Sequence, residues 1–163
     1  MLLNIIGFNL SWFGLILIGN EFIPLALVFL CCHFYQVKHR KCEFKLVFTV
    51  AILGGLLDYL LVSNGLYSFN EQVLPIWLLV LWACFAATIT TSLAFLKSSF
   101  LLQIAAGALL APISYLAAAN FSVITLNYST YIVFLTLAFF WAPLMVLFFY
   151  LGKKYFPLIA VNE

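Results

Sequence analysis

Of the 163 residues, 67% are hydrophobic and only 7% are charged, with a mean hydropathy of +1.20. Soluble domains carry about a quarter charged residues, so this composition excludes an ordinary soluble fold and marks an integral membrane protein. A net charge of +2 is too small to suggest a nucleic-acid partner, and cysteines at 31, 32, 42 and 84 follow no spacing of a secreted disulfide framework.

A crossing needs about 20 mostly apolar residues, so the length admits five or six crossings and no separate soluble domain. Leu2 to Ile18 is apolar, has no Lys or Arg before it and is interrupted by Asn4, Asn9 and Ser11. Gly19-Asn20-Glu21 is a poor cleavage site, so 2–18 reads as a retained first span rather than a signal peptide. Those three residues make a tight turn into a second span, 22–37, with Pro24 in its first turn, where a missing N–H is tolerated. Lys38 to Lys45 is the only strongly charged segment and reads as a polar loop. Spans follow at 46–62, 73–96, 100–119 and 131–151, with a turn-rich connection from Ser63 to Gln72, a short one at Lys97-Ser98-Ser99 and a polar one from Asn120 to Thr130. The expected fold is all-α: one polytopic domain, a compact bundle of six transmembrane helices.

Threading six spans alternately places Lys38, Arg40, Lys41, Lys45, Lys97, Lys153 and Lys154 on one side. By the positive-inside rule that side is the cytoplasm, which puts both termini there and Glu21 and Glu71 outside. Tyr35, Tyr67, Trp77, Tyr128, Tyr131, Tyr150 and Tyr155 fall near span ends, as an aromatic belt requires.

Asp58 is the one carboxylate inside an apolar span, where an ionised acid costs about 2.5–3.5 kcal/mol on insertion scales, so it should face other helices, be protonated, or both. Helical spacing sets Gly54, Asp58, Leu61 and Gly65 on one stripe, and Gln103, Gly107, Ala111, Ser114 and Ala118 on another, both suited to close packing. Pro112 frees the carbonyl of Ala108 beside Ser114 and Tyr115. At about 1.5 Å per residue, Asp58 lies roughly 18 Å from the basic end of its span, and Ser114, Tyr115, Trp82 and Cys84 reach similar depth. Two readings stand. Either Asp58, Ser114 and Tyr115 line a polar lipid or substrate pocket walled by Trp82, with Asp58 and Tyr115 as catalytic candidates, or a protonated Asp58 bonds across a helix interface.

No second ionisable group is expected in any span core. Asn4, Asn9 and Ser11 read as helix glue, and Thr88, Thr90, Thr91 and Ser92 as hydroxyls bonding back to their own helix. Cys31, Cys32, His33, His39 and Cys42 match no zinc pattern, and no metal or other cofactor is expected. The basic segment reads as a topology signal that meets anionic lipid. Nucleophile elbows, phosphate loops, metalloprotease helices and paired carboxylates are missing from the sequence, which argues against a hydrolase or phosphotransferase of known type.

Gly55-x-x-Asp58 with Gly65 and Phe69, Pro75-x-Trp77, Trp82-x-x-Phe85-Ala86-x-Thr88 with Ser92-Leu93, and Pro112-x-Ser114-Tyr115 together resemble a family of small bacterial inner-membrane proteins classed as a domain of unknown function. The chain departs from that pattern with Thr90-Thr91 where many members carry Asn-His, and with Ala111 where Gly is common. The family's genes often lie near those of cyclopropane-fatty-acid synthase-like enzymes. The resemblance therefore implies an accessory or structural protein of membrane-lipid modification or membrane stress, in the bacterial inner membrane, with membrane lipids and lipid-modifying enzymes as partners. The alternatives are an intramembrane enzyme acting on a lipid or isoprenoid and a small proton- or cation-coupled transporter using Asp58. The small-residue faces also suit a homo-oligomer.

Overall fold

The structure, a computed structural model, describes residues 1–70 and 74–156; the expected positions of Glu71, of the start of span four at Val73 and of the tail beyond Phe156 lie outside the described residues. Helix α1 is Leu2–Ile18 and α2 is Ile23–Gln36, joined by a 3-10 turn over Gly19–Phe22. Gly19 there takes φ +71°, a conformation that costs glycine little. Although the helical run from Leu2 to Gln36 is unbroken, the turn folds it back on itself. A straight helix would separate Asn4 from His33 by about 43 Å, yet their side-chain nitrogens lie 3.4 Å apart. Small residues permit the approach: Gly7 lies under Phe29 and Gly14 under Phe22.

Helix α3 runs Arg40–Ser63, α4 Ile76–Ile89, α5 Phe100–Asn120 and α6 Thr130–Tyr155. Counted as unbroken helical runs, the described residues hold five rather than the six expected spans. Four of them, Leu2–Gln36, Arg40–Ser63, Phe100–Asn120 and Thr130–Tyr155, are long and apolar enough to cross a membrane, and Ile76–Ile89 is shorter. The expected span 73–96 stops early because its hydroxyls compete with the helical ladder. Thr91 Oγ1 donates to the Ala87 carbonyl at 2.7 Å, the Leu93 amide turns to Thr88, and the chain continues as a 3-10 turn over Ala94–Ser98. Nor is the charged segment a loop beyond Lys38 and His39. The third helix begins at Arg40 rather than Leu46, because Glu43 in its first turn is buried against partners described below.

Two strands interrupt the expected all-helical pattern: β1, Tyr67–Phe69, pairs antiparallel with β2, Ile124–Leu126, in the register Tyr67↔Leu126, Ser68↔Thr125, Phe69↔Ile124. Gly65, at φ +73°, turns the chain out of α3 into this ribbon, and Asn127 closes it by donating to the Gly65 carbonyl at 3.1 Å. The ribbon thus ties the α3–α4 connection to the α5–α6 connection.

The helices alternate in direction. The start of α1, the end of α2, the start of α3 and the end of α4 meet through Asn4, His33, Glu43 and Thr90. Lys45 lies 4.7 Å over the Tyr155 ring, and Gln103 donates to the Leu96 carbonyl, which brings the remaining helix ends to the same pole. The seven basic residues therefore collect at one end of the bundle. At the other, Asn20 in the first turn accepts the Trp77 amide at 3.1 Å and caps α4. Leu101 and Phe139, 75% and 74% exposed, belong to a broad apolar exterior fit for hydrocarbon.

Helices α5 and α6 approach closely at Gly107, where an added Cβ would strike the Trp141 carbonyl, a backbone atom that cannot swing aside. Gly107→Ala should lower the unfolding free energy in detergent by about 1–3 kcal/mol. Gly55→Ala, whose added methyl meets only the flexible end of Leu79, should cost less. Equal losses would show that this close approach does not limit packing.

Candidate functional site

Asp58 is fully buried on α3, one turn after Gly54. The missing side chain at Gly54 admits the Trp82 indole from α4, and the indole nitrogen then donates to Asp58 Oδ2 at 2.6 Å. Oδ1 accepts the Tyr67 hydroxyl of β1 at 2.7 Å and the Tyr115 hydroxyl of α5 at 2.5 Å. Four elements thus converge on one carboxylate. Among the described residues none forms an ion pair with it; the one salt bridge found is elsewhere. Indole N–H can only donate, and a carboxylate can accept all three bonds at once. If a proton sat on Oδ1, one of the two tyrosines would have to turn and accept it. Burial first, and then the Asp58 charge, push the Tyr67 phenol well above its ordinary value. Tyr67 is therefore a donor.

The sequence singled out Asp58, Trp82, Ser114 and Tyr115. The structure brings Asp58, Trp82 and Tyr115 together, with Trp82 as a donor rather than only a wall. Ser114 stands apart, its hydroxyl returned to the Ala111 carbonyl at 2.7 Å. Tyr67, expected in the aromatic belt, is instead completely buried. The signal for it lay in Gly65 followed by the alternating Tyr-Ser-Phe, a turn and a strand that fold back over the end of α3.

Beside this cluster lies an apolar groove of about 430 Å³. Phe8, Trp12 and Phe13 of α1 form one wall, and Ala111, Ser114, Tyr115 and Ala118 of α5 the other. Trp82 and Phe85 of α4, with Trp141 and Met145 of α6, complete it. Phe69, Trp77 and Ile124 close the ribbon end, and Leu93 reaches the basic end. Asp58 does not line the groove; Trp82 and Tyr115 stand between it and the space. Trp82 stacks on Trp141 with ring centroids 4.8 Å apart, which fixes the indole that holds Asp58. Phe13 and Leu110, 48% and 62% exposed, sit at the outer rim.

A second buried polar network joins the basic ends of four helices, built on residues that the sequence reading left in a polar loop or at a span end. His33 of α2 is 2.9 Å from Glu43 of α3, with side chains 3% and 1% exposed. Thr90, after α4, donates to both Glu43 oxygens at 2.8 and 3.0 Å. Asn4 of α1 donates to the Ala87 carbonyl at 3.1 Å and accepts from Ser92 at 2.7 Å. Asn4 thus links helices, as read from the sequence, while Thr90 and Ser92 reach across rather than back. Cys31 and Cys32 are exposed, and among the described residues no group of three His, Cys, Asp or Glu could hold a metal ion.

The family described as "Protein of unknown function (DUF2878)" matches residues 1–147, and the chain belongs to it. No curated protein and no solved structure matches significantly.

Removing one donor leaves Asp58 with two, so Tyr67→Phe should lower stability by about 1–3 kcal/mol. Asp58→Asn should cost at least as much, since an amide presents an N–H to one of three groups that can only, or already do, donate. Denaturant melts in detergent read both. An Asp58→Asn protein as stable as the wild type would mean that the donors are not what holds this side chain.

Proposed function

We propose that this member of the DUF2878 family crosses the bacterial inner membrane six times, with both ends on the cytoplasmic side, and serves as an accessory component of membrane-lipid modification by holding an apolar lipid chain in the groove between α1 and α5. The crossing count rests on the folded-back first run and on the alternation of helix directions. The 14-residue helices α2 and α4 rise about 21 Å each, and the adjoining 3-10 turns extend them toward the roughly 30 Å of a hydrocarbon core. The cytoplasmic assignment follows from the gathering of all seven basic residues at one pole.

The groove itself carries the functional reading. It falls within the roughly 300–1,000 Å³ of small-molecule sites, its lining is mostly apolar, and of the polar atoms on its wall those of Tyr115, Trp82, Ser114 and the Asn9 amide are bonded inside the protein, while the Trp141 indole nitrogen has no partner among the described residues. Such a surface recognises a hydrocarbon tail rather than a headgroup. Lipid-modifying membrane enzymes are the partners to which a protein presenting such a tail would be useful.

Tyr115 supports a second reading, because it lines the groove by its phenol ring and, unlike the donor-only indole of Trp82, bonds Asp58 through a hydroxyl that can both give and accept a proton. An intramembrane enzyme would use that pair as acid and base toward a chain in the groove. A carrier that loads a proton or cation on Asp58 has less support, since Trp82 and Tyr115 close the carboxylate off from the groove.

All four tryptophans line the groove, so quenching of their fluorescence by lipids with brominated acyl chains, in nanodiscs, reports its occupancy. Quenching should be strong in the wild type and fall in Ala111→Phe, which fills the space. Equal quenching in both would contradict the lipid-chain reading. In cells lacking the gene, Tyr115→Phe that folds yet fails to restore the lipid profile favours the enzyme, and Tyr115→Phe that restores it favours the accessory protein.

A further inference from the structure

We propose that His33, held in the network of Asn4, Glu43, Thr90 and Ser92, is a proton-binding site whose occupancy decides whether α1 is tied to α4. The hydrogen bonds fix the protonation pattern. Asn4 must present its amide nitrogen to the Ala87 carbonyl, 3.1 Å away, because the opposite flip would set two oxygens against each other. Ser92 donates to the remaining Asn4 oxygen. That same amide nitrogen faces His33 Nδ1 at 3.4 Å, so Nδ1 can only be an acceptor and carries no hydrogen. The imidazole proton is then on Nε2 and is given to Glu43, 2.9 Å away, which also accepts from Thr90. The pair is a neutral imidazole against a carboxylate that lacks a buried cation, and it has room for one more proton, at Nδ1.

Every element around the ring supplies its share of this setting. From α1 comes Asn4 and from α4 and the turn after it come Ala87, Thr90 and Ser92, none of them titratable. From α3 comes Glu43, the acid facing the imidazole. From α2 itself come the rings of Phe29 and Phe34. Of the neighbouring cations, Arg40 donates to the Tyr35 carbonyl, Lys45 lies over Tyr155, and Lys38 and Lys41 are exposed.

When a proton from the solvent at the basic pole forms an N–H bond at Nδ1, two donors face each other and the Asn4 side chain must turn away. It then gives up the Ala87 carbonyl and the Ser92 hydroxyl, the two bonds that tie the first turn of α1 to the end of α4 and the turn after it. Phe8, one turn further along α1, and Leu93, next to Ser92, both line the groove, so the tie stands at the groove's basic end. This inference needs only the network and holds whether or not a lipid chain fills the groove.

The chain has two histidines, and the second, His39, is exposed. His39→Gln therefore leaves a single imidazole signal. In that protein, labelled with 15N at His and Asn and 13C at Ala carbonyls, in lipid nanodiscs, His33 should carry its proton on Nε2 alone at neutral pH. Acidification should add one at Nδ1, and the Asn4 side-chain amide and the Ala87 carbonyl should shift in the same steps, with helical circular dichroism unchanged. A proton on Nδ1 at neutral pH, an imidazole that takes no second proton before the helices melt, or a titration of His33 that leaves Asn4 and Ala87 unmoved would each overturn the proposal.

Discussion

A carboxylate inside a bilayer-spanning helix must be given donors by the protein, because the hydrocarbon offers none. At Asp58 that requirement organises the half of the molecule away from the basic residues. Gly54 is small so that Trp82 can lie against α3. Gly65 is left-handed so that the chain can return with Tyr67. Tyr115 arrives from α5, beside Pro112, and Trp141 of α6 stacks on the indole that closes the site. Helices three to six and the ribbon are therefore positioned by reference to one side chain.

The basic half solves the same problem differently. There the His33 ring and a threonine hydroxyl share the burden of Glu43, and Asn4 ties the network to α1. The two networks have opposite characters. Around Asp58 all partners are groups that give one bond each to a fixed acceptor, which makes a rigid cluster. Around Glu43 the partners are of mixed kind, a ring nitrogen and a hydroxyl that can each give or take a hydrogen bond. The groove runs between them, with Tyr115 and Trp82 near one network and Leu93 near the other.

Much of this was legible in the sequence because membrane spans are written in long apolar runs. Asp58, Trp82 and Tyr115 could be set at one depth from helical rise alone, and the alternation of basic residues placed the helix ends. What was not legible has physical causes. Tyr67 is buried by a two-stranded ribbon whose three-residue strands leave almost no periodic trace. Glu43 sits among Lys and Arg, where composition reads as solvent, and its burial depends on His33 and Thr90, distant in sequence. Span four ends early through competition between hydroxyls and backbone, which hydropathy does not register. Thr90 holds Glu43, a role visible only once α3 and α4 are packed side by side.

The claim on which all else depends is that Asp58 is enclosed by protein donors and shielded from lipid. The indole N–H resonances of the four tryptophans, in nanodiscs with a lipid-soluble paramagnetic agent, test it most directly. The Trp82 indole proton should be slow to exchange, unbleached by the agent and strongly displaced when Asp58 is replaced by leucine. A Trp82 signal that is bleached like a lipid-facing indole, or that ignores the loss of Asp58, would contradict the account.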